Sequence, residues 1–591
     1  MMKLLPKNRD ELRKAALGII PSDLAIHNVK LCNVLTGEIY PATVYVKDGF
    51  IAYVDHETDY VDEKLAKEIV DGKGYYLTPG LMNAHEHIES SMLVPYRYAE
   101  AVVPWGTTTI IQDPHEIANV LGRKGVRYMH EAGNNVPMRQ FVDIPSSLPA
   151  VNGMEGNGAK FDYEDIRELA KLERVVGLAE VMNFIGLAYG SDPEYQKLVE
   201  EAEKCGLYIQ GHVITDDPRI LAAYRIAGPN TCHETSIPLA GKRKMRGGIR
   251  VDGRNGTMAH NIEVIWNEIK DFRYLDRFCL CTDDQEVGDT LDHGHMNNVI
   301  NVAIKAGMDP MDALRSATYS IAVEANIENI GAIAPGYVAD MLLVKDLNNF
   351  VPETVYFAGR KVAEHQKLLE KIEVPELETE QINTMNIPEK TVDDFHLKTV
   401  KNLEKVEVNV LAYEGPTTSF CHVEKITFPV RNHCIDISGH DDICFATVIN
   451  RYGENRQMVG LVKGFGLKKG ANGSTVSHDS HNLCIVYKTA EEGYKAYKAI
   501  EEVKGGMSCV VDDEVTVLPL PVAGLMSTVE PEEMAKQTEQ MKAALRKAGL
   551  DLENPILRIV TLALPVVPYA RFSDMGLIDT INLKFVDIVL E

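Results

Sequence analysis

The 591-residue chain contains no Cys-x-x-Cys; its closest cysteines, Cys279 and Cys281, are separated by a single residue. Ten cysteines over this length do not make a disulfide scaffold, so reduced and mostly buried thiols are expected. No uninterrupted apolar run of about 18 residues occurs, which argues against a membrane-spanning helix. The N-terminal stretch "MMKLLPKNRDELRKAALG" carries charges where a signal peptide would have an apolar core, which points to the cytoplasm. Positive charge is scarce: 61 lysines and arginines stand against 86 aspartates and glutamates, a formal net charge of −25. Such a field repels phosphate backbones and argues against a nucleic-acid partner, while remaining compatible with a small neutral substrate. A phosphate-binding loop is missing too. "GFGLKKG" (464–470) has its third glycine one position late and reads as a turn joining two strands.

What is present is ordinary globular material, 45% hydrophobic and 25% charged, long enough for two or three domains. Residues 9–18 read as a short amphipathic helix, and the segments up to about 77 alternate like the strands of a small sheet. From 78 the texture changes. Apolar runs lie around His85 and at 107–114, 139–149, 174–181, 207–214, 230–237, 247–253 and 277–284, separated by helix-like segments. Eight such βα units over roughly 250 residues predict a (β/α)8 barrel in an α/β protein. A doubly wound sheet is the competing architecture; polar residues at the ends of many different strands favour the barrel. Residues 331–367 read as strands that rejoin the N-terminal part (1–77) in a composite β-sandwich, 368–391 as a linker, and 392–591 as a separate α/β domain.

The strand-end polar residues carry the chemistry. "LTPGLMNAHEHIESS" (77–91) puts His85 and His87 on alternate positions, so both can face the barrel axis. Strand four ends with Glu180, strand five with His212, strand six with His233 and strand eight with Asp283 and Asp284. Neutral imidazoles and carboxylates are ligands for divalent metals such as Zn, Fe and Mn. Glu180 has two oxygens with which to bridge, and His85, His87, Glu180, His212, His233 and Asp283 together suit a two-metal site.

With these residues in view, the chain resembles the amidohydrolase superfamily. The shared features are H-x-H after "TPG", the strand-five and strand-six histidines, the strand-eight aspartate, and "GAIAPGYVAD", which leads such barrels back into their sandwich. "GTTTIIQDPHEIANVLG", "GLAEVMN", "CTDD" and "SHDSHN" extend the resemblance to the bacterial adenine deaminase family over nearly the whole chain. Many superfamily members bridge their metals with a modified lysine from strand four; Glu180 stands there instead, as in the adenine deaminases. The resemblance implies hydrolysis of adenine to hypoxanthine and ammonia, with two divalent ions (Mn, Fe or Zn, the first two favoured) ionising a water that attacks C6. Asp283 would carry a proton from that water to the leaving amine. Glu116 is implied either as a purine contact or as an outer partner of the site residues. Asp284, one residue on, points away from Asp283 unless the strand has ended; it contacts a ring nitrogen, orients Asp283 or caps a loop, and Glu89 and Ser90 either line the pocket or cap a helix. "SHDSHN" (477–482), with His478, Asp479, His481 and Asn482, reads first as a polar turn, with a third metal or a cover over the site as alternatives. A homodimer is also implied. The zinc deaminases of the H-x-E with P-C-x-x-C type are excluded by the missing C-x-x-C. An amidohydrolase opening a cyclic amide, and a catalytically silent relative, are the rival readings.

Overall fold

The computed structural model describes residues 2–56, 61–415, 420–567 and 569–591. The expected N-terminal helix forms at Arg9–Ala16, where the Asn8 side chain accepts from the Asp10 and Glu11 amides and so caps two of the free N–H groups. The flanking sandwich is built from a single hydrogen-bonded sheet of nine strands. Its centre is the meeting of early and late chain: Tyr76–Pro79 pairs antiparallel with Met341–Val344, Leu342 opposite Thr78. Leu24, Ile26, Val44, Leu77, Met341 and Tyr356 share its buried core.

The barrel follows. Its first five strands, Leu81–Glu86, Thr107–Gln112, Arg139–Ile144, Val175–Val181 and Tyr208–Gly211, form one parallel sheet in chain order. The fourth is buried along its whole length, as a strand covered on both faces must be. Val251–Arg254 and Phe278–Cys281 pair in parallel as the seventh and eighth. The wall closes where the Asp283 amide donates to the His85 carbonyl at 3.1 Å.

Two expectations change in detail. The third strand stops at Ile144 because Pro145 has no N–H to give the ladder. The sixth segment, 230–237, forms no regular strand. It fills its place with a few bonds: Asn230 N to Ile209 O at 3.0 Å, Arg250 N to Asn230 O at 2.8 Å, and Asp252 N to Cys232 O at 3.1 Å. Pro229 cannot donate at its start, and the chain turns into the barrel mouth at His233.

The C-terminal part is a ten-stranded, mainly antiparallel sheet with the helices Ala490–Glu502 and Pro531–Lys547 packed against it. "GFGLKKG" joins the strands Gln457–Lys463 and Ala471–Ser474, as expected for a turn. This part is fastened over the barrel mouth. Lys542 Nζ lies 2.6 Å from Glu286 Oε2, Asn554 Nδ2 donates to Glu286 Oε1 at 2.6 Å, and Asn482 Nδ2 donates to the Gly156 carbonyl at 2.7 Å. Among the described residues, no helix is long and apolar enough to cross a membrane.

Candidate active site

The first barrel strand delivers its two histidines as alternation requires. Glu86, between them, turns the other way and accepts from Tyr98 Oη at 2.5 Å and Asn83 Nδ2 at 2.6 Å. His85 and His87 point into the mouth, with ring centroids 4.8 Å apart.

Their tautomers follow from their neighbours. Gln210 Nε2 donates to the Ala84 carbonyl at 2.9 Å, an oxygen that can only accept, so Gln210 Oε1 must face His85 Nδ1, 2.8 Å away. His85 therefore carries its proton on Nδ1 and turns the lone pair of Nε2 toward the mouth. That atom is buried and has no hydrogen-bond partner. His87 Nδ1 likewise donates to the Asp113 carbonyl at 3.0 Å, which turns Nε2 inward. The two Nε2 atoms lie 3.4 and 3.3 Å from Asp283 Oδ1. Facing lone pairs repel, so this arrangement demands a positive centre. Burial opposes protonation of His87, yet the Asp283 carboxylate holds its pKa well above the usual value. A proton and a divalent cation answer the same charge, and a set of neutral imidazoles with carboxylates suits the cation.

Glu180 lies between the two halves of the cluster. Its Oε2 is 2.5 Å from His212 Nδ1 and 3.1 Å from His233 Nε2, and its Oε1 is 3.7 Å from His87 Nε2. Burial disfavours its charge, but His212 and His233 keep its carboxyl well below the usual range. His233 stacks on His85 at 4.1 Å, and burial together with that neighbour pushes it down to about 3, which keeps it neutral. Asp283 follows the end of the eighth strand with a positive φ of 62°. Its Oδ2 is gripped by the Arg254 guanidinium, leaving Oδ1 to the histidines. Against the effect of burial, Arg254 and the two histidines hold Asp283 well below the usual carboxylate range. Arg254 also pairs with Glu234 at 2.5 Å. All six expected donors thus converge.

A small cavity of about 40 Å³ adjoins them, lined by Glu89, Ser90 and Asp284 of the barrel and by Ile556, Leu557 and Val560 of the C-terminal part. Because the strand has ended before Asp283, Asp284 does not point away from the site. It accepts from Ser90 Oγ at 2.5 Å. Glu89 Oε1 accepts from the Ile117 amide at 3.3 Å, its Oε2 has no partner, and burial with Glu116 nearby pushes it up to about 7. A wider opening of about 720 Å³ shares the lining residues Thr257, Met258, Gln285 and Leu557 with this cavity.

Of its two expected places, Glu116 does not take the one lining this cavity; its carboxylate is surrounded by His115, His478 and His481. The helix His115–Leu121 begins at the end of the second strand and aims Glu116 at the "SHDSHN" segment, which tertiary packing brings 365 positions in sequence to meet it. That segment is more than a solvated turn: Asp479, His481 and Asn482 are buried.

Three contributors escaped the sequence reading. Gln210 was legible in principle, since strand alternation puts it on the same side as His212. Arg254 is the last residue of a strand expected to end at 253, and Glu234 follows a histidine in irregular backbone; neither carries a local signal.

Barrel, mouth and donors together define an amidohydrolase, and the amidohydrolase family model matches residues 76–362. The adenine deaminase C-terminal domain model matches 420–584. Adenine deaminase of Moorella thermoacetica is 35% identical over 585 residues, 98% of each chain, and that of Clostridium botulinum is 35% identical over 589 residues, 98% of this chain and 97% of the relative. The chain belongs to the adenine deaminase family. Among solved structures, an adenosine deaminase from Xanthomonas campestris with bound zinc aligns at TM-score 0.45 and 14% identity, covering 59% of this chain and 95% of that one. A D-hydantoinase aligns at 0.44 and 16%, covering 59% and 96%.

Proposed function

We propose that this chain hydrolyses adenine to hypoxanthine and ammonia in the mouth of its barrel. The observation that carries the reading is the convergence of six donors from five barrel positions, with the inward nitrogens of His85 and His87 unprotonated by the logic of their partners. Two divalent cations held by His85, His87, Glu180, His212, His233 and Asp283 would supply Lewis acidity and bring the pKa of a water to about 7. A donor set without thiolate favours the harder ions Mn or Fe.

The chain's own residues do the rest. Asp283 Oδ1 takes a proton as the water oxygen bonds to C6, while Arg254 occupies Oδ2 and keeps the acceptor oriented. The proton returns to the exocyclic nitrogen, the C6–N bond breaks, and ammonia leaves. Glu89, Ser90 and Asp284 present polar atoms to the purine ring, and Ile556, Leu557 and Val560 exclude bulk water from it. Among the described residues no two cysteines form a disulfide, which suits the reducing cytoplasm, and the reaction suits a role in purine salvage.

The test is turnover of adenine by metal-reconstituted protein, with a dihydropyrimidine and a hydantoin as competing substrates. Glu180→Gln and Asp283→Asn should each lower kcat by about 10²-fold or more while the fold is retained. Near-normal rates in either variant, or preference for the cyclic amides, would overturn the assignment.

A further inference from the structure

A second set of donors lies beside the first, across the seam between barrel and C-terminal part. The helix beginning at His115 supplies His115 and Glu116, and the segment after strand Ala471–Ser474 supplies His478 and Asp479. Glu116 Oε1 is 3.2 Å from His115 Nε2 and 2.7 Å from His478 Nδ1. Asp479 Oδ1 is 3.7 Å from His478 Nδ1 and 3.9 Å from His115 Nε2. Four ligands bound at about 2.1 Å around a tetrahedral ion stand about 3.4 Å apart, the middle of this range.

Hydrogen bonds to the neighbours leave Glu116 Oε1 over and fix the direction of the imidazoles around it. His115 Nδ1 lies 3.1 Å from Asp113 Oδ2 and donates to it, so Nε2 keeps its lone pair. His481 Nδ1 accepts from the Ser477 amide at 3.2 Å, so its proton is on Nε2 and goes to Glu116 Oε2. That contact satisfies one oxygen of Glu116 and orients the other. Glu116 Oε1 is buried beside two imidazole nitrogens without a hydrogen bond to either, and Asp479, whose Oδ1 faces the same two nitrogens, has no partner for its other oxygen, Oδ2. A buried carboxylate oxygen with nitrogens around it and no bond to them is what a ligand sphere leaves when seen through its donors alone.

We propose that His115 Nε2, Glu116 Oε1, His478 Nδ1 and Asp479 Oδ1 hold a further divalent cation, using none of the six donors of the first centre but adjoining it through His115, whose Nδ1 lies 3.7 Å from Glu180 Oε1, and of the class that accepts two imidazoles and two carboxylates, Zn, Mn or Fe. His481 positions Glu116 as the outer partner of a ligating carboxylate. The ion ties the barrel helix to the C-terminal segment, so the site exists only in the assembled chain.

The experiment is titration of Zn²⁺ or Mn²⁺ into the chelator-treated full-length protein by calorimetry, with bound metal counted by elemental analysis. His478→Gln and Asp479→Asn should each bind one ion per chain fewer than the wild type and keep the rest. A wild-type total of three supports the two-ion centre alongside this site; a total of two falling to one keeps this site and sinks the two-ion reading. Equal stoichiometry in wild type and variants, or loss of every ion at once, overturns the proposal. If a variant does not fold, anomalous diffraction from Mn²⁺-soaked wild-type crystals decides: a peak between these four atoms supports the site, and its absence refutes it.

Discussion

Replacing Gln210 by leucine removes the group that sets the tautomer of His85. In the wild type Gln210 Oε1 accepts from His85 Nδ1 at 2.8 Å, while its Nε2 donates to the Ala84 carbonyl and to Tyr208 Oη, both at 2.9 Å. Tyr208 in turn donates to Asp143 Oδ2 at 2.6 Å. The network is buried, so every broken bond leaves an unmatched atom. Loss of a partner that orients a metal-bound histidine costs about 10- to 100-fold in affinity, or about 1.4–2.8 kcal/mol. The Ala84 carbonyl, left without this donor, costs about 1–3 kcal/mol of stability, while the Tyr208 hydroxyl keeps its bond to Asp143. Gln210→Glu separates the two effects. A neutral Glu carboxyl can accept from His85 and donate to Ala84, so its metal affinity should stay within about tenfold of wild type. Competition with a chromogenic chelator measures both variants against the parent. Wild-type affinity in the leucine variant, or equal losses in leucine and glutamate variants, would refute the tautomer argument.

Arg254→Leu leaves Asp283 and Glu234 buried without their cation, so metal-free protein should lose about 3–5 kcal/mol of stability, read from the shift of the urea midpoint. An unchanged midpoint would mean that the pair contributes nothing. Ser90→Ala removes the hydroxyl that donates to Asp284 at 2.5 Å. A bond to a carboxylate contributes about 1.5 kcal/mol or more, so kcat/KM for adenine should fall about tenfold, with metal content unchanged as the control. Far from the site, Asp23 lies 2.8 Å from Lys67 Nζ and 3.2 Å from Lys47 Nζ. Burial raises its pKa, but the bonds from Lys67, the Asp48 amide and Lys47 hold it at about 2, below the ordinary 3.8. A depressed folded pKa stabilises above the unfolded value and loses that contribution as pH falls through the folded one. With over a third of the side chain exposed, solvent screening leaves about 1 kcal/mol. Asp23→Asn should therefore lower Tm at neutral pH, and the difference should shrink between about pH 4 and pH 2. A difference that stays constant over that window would contradict this origin.

The first-order features of the site were written in local pattern. Strand alternation put His85 and His87 on one side, and a strand end followed by a turn announced Glu180, His212 and Asp283. The surroundings of Glu116 were not legible, because its partners, His478 and His481, lie more than 350 residues away in sequence, and no local spacing reports such a meeting. The direction of Asp284 was left open by the sequence because alternation holds only inside a strand, and the eighth strand stops at Cys281.

By itself the sequence determined which elements form and which residues they can offer. Those are short-range matters: the period of apolar residues, the turn chemistry of Gly and Pro, and the two-residue repeat of a strand. Tertiary structure alone decided the pairings that give the donors their protonation states and the cavity its lining. Gln210 on His85, Arg254 on Asp283 and the C-terminal segment on Glu116 each depend on how whole strands and domains pack. Burial is what makes those contacts matter, because a partner that water would replace in solution becomes irreplaceable inside the barrel mouth.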